Sequence, residues 1–494
     1  MNALGNWVRI LTLKYEILQM HWITWHMKAL PRLAAHFFFG IAILSSTTLC
    51  FAQPVNLVET LVPETLGLDK GISDRLKLIR KSKSVKLAIA FNARESALLS
   101  DSMKISTPNG KVLSLVRSRL ETRTKGELSW FGKTSDGGDA TFYSTGGQIS
   151  GRIVNQGKVY EVRNVTNRMH VLIEIDTSLL PPEHSASHPD GSAPELTSPI
   201  QIDENEHDGL KDSSSSVESV GDFKYIRASS ASASASASTI SGASTIDVLV
   251  AYTPQAAQYL GNINSASQAA INLVNESFTN SGVNLFANLA GTTLLNAEFS
   301  KSEEALLGLY TAPGPAILRD YLKADAIILI AHSDTKKDCG LAKTFGATPT
   351  TAFAMVFDEC LIANMSMTHE LGHLFGARHD FGNDQTNWPY AYGHGFSIKK
   401  LKQNQLDYYC LHTIMSYPAG CPAFTPDPRI NYWSDPQRTV NLYGVNWVIG
   451  DFNSSAVSVV RLAGPAFAQF GETQIASIYI KRMISAVTTI LLLD

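Results

Sequence analysis

The stretch 369–380, His-Glu-Leu-Gly-His-Leu-Phe-Gly-Ala-Arg-His-Asp, limits what this chain can fold into more than any other. Residues four apart on a helix share a face, so His369 and His373 point the same way, as two ligands of one metal must. Glu370 lies at the edge of that face, within reach of a metal-held water without being a ligand. Leu371, Leu374 and Phe375 fall on the other faces and can pack inward, and Asn364, Ser366 or Thr368 can cap the helix start. Gly376 permits a left-handed cap and a sharp change of direction, which lets His379 return as a third ligand. Three neutral imidazoles leave a fourth zinc position open, the arrangement of a catalytic rather than a structural site. Zinc lowers the pKa of a bound water to about 7 in the best cases, and Glu370 can take its proton. Surface histidines on an ordinary helix are a fair reading of H-E-x-x-H alone. They are a poor reading of the extended spacing with Gly376, His379 and Asp380 in place.

A second feature is independent of the first. In "HTIMSYP" (412–418) a tight turn would set Met415 as a polarizable, apolar floor beneath the ligands. Together these residues resemble the metzincin clan of zinc endopeptidases. Asp380 directly after the third histidine is similar to the reprolysin branch. It is also similar to the secreted bacterial reprolysin-like proteins that include the peptidyl-Asp metalloendopeptidases, as are "PRINYWSDPQ" and the region of Gly444 and Asn453. The resemblance covers 245–470 and implies a metzincin-like domain with Zn2+ held by His369, His373 and His379. It implies Glu370 as general base, passing the proton on to the leaving amine, with Met415, Gly376 and Asp380 as structural support. Tyr417 resembles the tyrosine that the astacin and serralysin branches use to stabilise the oxyanion; a packed turn tyrosine is an equal reading. His394 and His412 read as supporting residues.

The surroundings of the motif set its context. The chain has 494 residues, enough for two domains plus extensions. A hydrophobic share of 44% with 17% charged residues is globular. A net charge of −3 gives no reason to expect nucleic acid or an anionic membrane as partner. Residues 1–26 have no obvious role and read as a start-site artefact. From Met27, Lys28 and Arg32 precede the apolar Phe37 to Leu44, and Cys50-Phe51-Ala52 offers a cleavage site before Gln53. That is a signal peptide over 27–52, so the product is expected to be secreted. Residues 53–180 alternate short β-rich runs with Gly-rich turns and read as a mainly β propeptide. His170 and His184 look isolated there. Residues 181–244 are rich in Ser, Ala and Pro and read as a low-complexity linker open to proteolysis. Residues 245–470 alternate strand and helix, an α/β (α+β) domain with a mixed, mostly parallel sheet and an active-site helix. The tail 471–494 ends in an apolar run too short for a membrane anchor.

Cys339, Cys360, Cys410 and Cys421 cluster in the C-terminal half, which in an exported chain reads as two disulfides. Sequential pairing is the simplest of the possible connectivities. Residues 53–338 contain no cysteine. Any propeptide group on the zinc would be a carboxylate or histidine, for example within 202–208, and simple steric cover is an equal alternative. The expectation is a secreted zinc metalloendopeptidase, made as a proenzyme, with its own propeptide and protein or peptide substrates as partners. The rival is a secreted binding or adhesion protein with a residual zinc site, against which the intact Glu370 counts.

Overall fold

In a computed structural model, the described residues are 53–63, 68–107, 110–122, 126–166, 168–184, 217–220, 223–227, 242–402, 407–422, 425 and 427–474. The expected start-site extension, signal peptide and Cys50, the 202–208 stretch and the last twenty residues of the tail lie outside them. No helix among the described residues is long and apolar enough to cross a membrane.

The first part of the chain forms a ten-stranded sheet. It opens with β1 (Val55–Asn56), β2 (Val58–Leu61), helix α1 (Lys70–Lys81) and β3 (Val85–Ala93). Strands β4 (Ser102–Ser106), β5 (Val112–Thr122), β6 (Glu127–Thr134) and β7 (Asp139–Thr145) follow. Then come β8 (Gln148–Asn155), β9 (Lys158–Asn164) and β10 (Met169–Ile175). The spatial order is β1-β4-β5-β6-β7-β8-β9-β10-β3-β2. Two of its hairpins are set by left-handed residue pairs, Gly146-Gly147 (φ 55 and 82) and Gln156-Gly157 (φ 51 and 73). Such pairs match the right-handed twist of the strands they join.

The second sheet has seven strands in the order β11-β12-β14-β13-β15-β17-β16. They are β11 (Val217–Val220), β12 (Phe223–Arg227), β13 (Ser244–Tyr252), β14 (Leu285–Leu294), β15 (Ala326–Ala331), β16 (Gly340–Ala342) and β17 (Phe353–Phe357). The middle four run parallel, and β16, β12 and β11 are antiparallel to their neighbours. Strands β15 and β17 are buried at every position, as parallel strands covered on both faces must be. Helices α2 (Pro254–Leu260), α3 (Ile263–Ser281), α4 (Ser302–Thr311), α5 (Pro313–Leu322), α6 (Asp358–Leu361) and α7 (Ser366–Phe375) connect and cover this sheet. Two hairpins, β18–β19 (Ser397–Leu401, Tyr408–His412) and β20–β21 (Asp435–Leu442, Val445–Ile449), precede α8 (Ala456–Phe467). The whole is a mixed α/β structure. Cysteines 339 and 360 are bridged, as are 410 and 421.

Part of the stretch expected as linker is structured. Strands β11 and β12 extend the second sheet from β14, and Tyr225 is buried in its core. Residues 181–184 are also placed, with Glu183 and His184 buried. The composition argument averaged over a long stretch and missed these short apolar and proline-stiffened runs.

Helix α3 lies between the two sheets. Its apolar side, including Ile271, Val274 and Phe278, joins the main core. Its polar side meets the N-terminal sheet. Asn272 Nδ2 donates to Ser129 Oγ at 2.9 Å, Ser265 and Ser150 hydroxyls lie 3.0 Å apart, and the Thr141 hydroxyl donates to the Glu276 carboxylate. Arg152, from β8, is fully buried and reaches the carbonyls of Ala363 and Arg429, both at 3.0 Å.

Candidate active site

Helix α7 carries the motif. Its start differs from expectation: Met365 is the cap residue, in a left-handed conformation (φ 54), with no side-chain cap. The Asn364 amide and Ser366 hydroxyl are engaged elsewhere, as described below. The helix ends at Gly376, whose φ of 106 suits only glycine. A Cβ there would also sit 2.9 Å from both Pro389 and Tyr390. The turn closes with the Ala377 N–H donating to the Gly372 carbonyl at 2.9 Å.

The chain then returns His379 to the helix. Its Nε2 lies 3.2 Å from His369 Nε2 and 3.1 Å from His373 Nε2. His369 Nδ1 donates to the Ile414 carbonyl (2.8 Å) and His373 Nδ1 to the Ala377 carbonyl (2.9 Å). These bonds fix the tautomers of His369 and His373 and turn their Nε2 lone pairs toward His379 Nε2, as supporting hydrogen bonds do in a metal centre; His379 Nδ1 has no hydrogen-bond partner among the described residues. Burial pushes all three imidazoles well below their ordinary pKa, and the neighbouring histidines add to the shift for His373 and His379. They are therefore neutral, the form a metal requires.

Glu370 is fully buried, and neither carboxylate oxygen makes a well-formed hydrogen bond. Burial pushes its carboxyl well above the usual range, with Glu183 and Asp338 adding to it. Gly340, at the start of edge strand β16, makes room for it: a Cβ there would be 2.6 Å from Glu370 Oε1.

Met415 is fully buried below the helix. A Cβ on Gly372 would approach its Sδ to 2.3 Å, so the glycine inside the motif is what lets the turn close on the helix. Asp380 clamps this turn to the third histidine. Its Oδ2 accepts from the Tyr417 N–H (2.9 Å) and the Ser416 hydroxyl (3.1 Å). His394 Nδ1 donates to the His379 carbonyl at 2.8 Å, and His412 pairs with Asp427 at 3.0 Å. The Tyr417 ring lies 4.6 Å from that of His379, and burial raises its phenol pKa.

The Tyr417 hydroxyl is taken up by a distant part of the chain. It donates to the carbonyls of His184 and, at 3.3 Å, of Glu183. Pro182 offers its carbonyl to the Cys339 N–H beside β16 at 2.8 Å. Glu183 Oε1 accepts from Asn364 Nδ2 (2.9 Å), Ser366 Oγ (2.8 Å) and Arg429 Nη1. The His184 ring stands 4.8 Å from His373 and 4.9 Å from His379, and the three can share one cation. His184 is thus not isolated, contrary to the sequence expectation. Glu183 was not singled out, and Arg429 entered only within the quoted stretch "PRINYWSDPQ". They lie 246 residues apart, and the only local signal is the stiff Pro-Pro before Glu183.

A histidine trio on a glycine-stopped helix, over a methionine turn, is the constellation of a metallopeptidase. Residues 242–434 match the model of Metallo-peptidase family M12, reprolysin type. The chain is 31% identical over 363 residues to a peptidyl-Asp metalloendopeptidase of Stenotrophomonas maltophilia (strain R551-3), covering 67% of this chain and 75% of that protein. It is 28% identical over 361 residues to the protein of that name from Xanthomonas campestris pv. campestris, covering 67% and 74%. Among solved structures, metalloproteinase-II from Bacteroides fragilis has a TM-score of 0.33 at 11% identity, covering 66% of this chain and 88% of that one, a weak likeness. The chain belongs to the reprolysin-like metallopeptidases of family M12 and is a metalloendopeptidase.

Proposed function

We propose that the chain is a secreted, zinc-dependent endopeptidase made as a proenzyme, with Zn2+ held by His369, His373 and His379 and Glu370 as general base. The observation that carries this reading is the convergence of three neutral Nε2 atoms beside one buried carboxylate. The donor set fits the metal: ligands about 2.0–2.1 Å from a tetrahedral zinc lie about 3.3 Å from one another, close to the 3.1 and 3.2 Å found. When bound, the zinc would supply Lewis acidity to a water and to the scissile carbonyl.

The rest falls to the chain's own residues. Glu370, kept from bulk water and with neither carboxylate oxygen in a well-formed hydrogen bond, takes the proton of the attacking water and passes it to the leaving amine. The Tyr417 hydroxyl is a donor to the oxygen that gains charge. Edge strand β16 offers backbone groups to an extended peptide, as the Cys339 N–H does to Pro182. Met415 and Asp380 position the ligands and do not touch substrate.

Latency is supported by residues 181–184, which lie over the trio and occupy the Tyr417 hydroxyl. The N-terminal sheet, on this reading the propeptide, meets α3 in part through hydroxyls, amides and charges, and its Tyr143, Val154 and Val171 share the main apolar core. Export is supported by the leader expected over 27–52 and by two disulfides, which persist in oxidising surroundings.

The test is cleavage of casein by protein processed from the full-length chain, with and without a zinc chelator, beside Glu370→Ala. Activity is expected to vanish with either change and to return when zinc replaces the chelator. Equal activity in wild type and Glu370→Ala would sink the mechanism.

A further inference from the structure

We infer that His184 is a fourth metal ligand in the intact chain, closing a site that opens only when residues 181–184 leave. The inference rests on the peptidase reading above. The His184 ring is buried, its centroid 4.8 Å from that of His373 and 4.9 Å from that of His379. The ring planes are tilted by 52° and 47°, a splay that suits imidazoles around one centre better than stacking does. One ligand atom from each of the three lies within 4.8 Å of the other two. Ligands of a tetrahedral zinc lie about 3.3 Å apart, so His184 has to draw in by about 1.5 Å at most, a side-chain rotation.

The backbone holds the ring in place for this. The His184 carbonyl accepts from the Tyr417 hydroxyl, and the Pro182 carbonyl from the Cys339 N–H. Between them the Glu183 carboxylate accepts from Asn364, Ser366 and Arg429. With three successive residues anchored, the side-chain torsions are the main freedom left to His184, and little ordering entropy opposes ligation. The other histidines beside the trio are engaged differently, His394 with the His379 carbonyl and His412 with Asp427. Glu183 also comes within 4.8 Å of His369 and Glu370. Its Oε1 already takes three donors, one a guanidinium, so its charge is answered without a metal. Glu183 is the anchor, and the residue after it is the ligand.

Four imidazoles complete a tetrahedral shell, the composition of a closed site, and leave no position for water. Glu370 then has no proton to take. Cover and metal also reinforce each other: whatever factor His184 adds to the affinity for the metal, the metal adds to the retention of 181–184. His184 shares the cation with His373 and His379, so it supplements the trio without replacing a member. Losing His379 removes a ligand and one of the two neighbours of His184 together.

The test is zinc X-ray absorption on the full-length, unprocessed chain, comparing wild type with His184→Ala and the more conservative His184→Gln. Four imidazoles are expected around the metal in wild type, and three with an added oxygen ligand in both variants. Chelator competition should show zinc held at least about tenfold more weakly by the variants, since losing a direct ligand costs no less than losing a supporting bond. A second measurement needs no variant to bind well: adding zinc should slow amide exchange at residues 183–184 at least about tenfold in wild type. In His184→Gln it should not. A three-imidazole shell in the intact wild type overturns the proposal, as does an oxygen ligand there that Glu183→Gln removes. Four imidazoles in the intact chain with no casein cleavage after processing would keep the closed site and reject the peptidase. Three imidazoles in the intact chain with cleavage after processing would reject the closed site and keep the peptidase.

Discussion

Two structures meet at the cleft, and they are held in different ways. The histidine trio is written almost entirely within 369–380, and its nearest supports, Ile414 to Tyr417, follow closely in the chain. Residues 181–184 are held by partners distant in the chain, among them Cys339, Asn364, Ser366, Arg429 and Tyr417. The first is a fixed centre whose hydrogen bonds run to backbone carbonyls. The second is a segment whose every contact is lost at once if it leaves. A site that must persist and a cover that must be removed are thus built from local and long-range contacts respectively.

The comparison breaks most directly at Glu370. Glu370→Ala should keep the metal and lower kcat by about a thousandfold, near the middle of the range for general acid–base groups. A loss of zinc along with activity would make Glu370 a ligand instead. Tyr417→Phe is expected to lower kcat of processed protein by about tenfold to a hundredfold. In the unprocessed chain the same change should speed the loss of latency, because the hydroxyl also holds 181–184. An unchanged kcat with faster activation would make Tyr417 part of the cover alone.

Stability measurements sharpen the contrast further. Gly372→Ala would force a Cβ to 2.3 Å from Met415 Sδ and should cost about 1–3 kcal/mol, read from denaturant unfolding. The smallest effect is expected at the interface of α3 with the N-terminal sheet. Burial first, then Asp139, raises the Glu276 carboxyl from 4.5 to about 7, with Lys133 opposing. Its contribution is complete below 4.5 and is lost as pH rises through about 7. The intact chain should therefore melt a few degrees lower at pH 8 than at pH 5.5, and Glu276→Gln should flatten that slope.

The same contrast explains what was legible in the sequence. The trio could be read because a helix converts a spacing of four into a shared face and a glycine into a turn. Gly372 could have been read with it, as a small residue facing the expected methionine. Glu183 could not, and Arg429 was legible only as part of a family-like stretch: their pairing shows only when two distant segments are brought together. The mixed α/β class followed from alternating runs. The strands at 217–227 were hidden by the low-complexity sequence around them.

The central claim is that His369, His373 and His379 hold one catalytic metal. The most direct test is the zinc content of full-length protein after exposure to zinc and removal of the excess. About one zinc per chain is expected in wild type and almost none in His379→Ala, with the folded structure otherwise retained. Zinc absent from the wild type, or bound equally by both proteins, would contradict it.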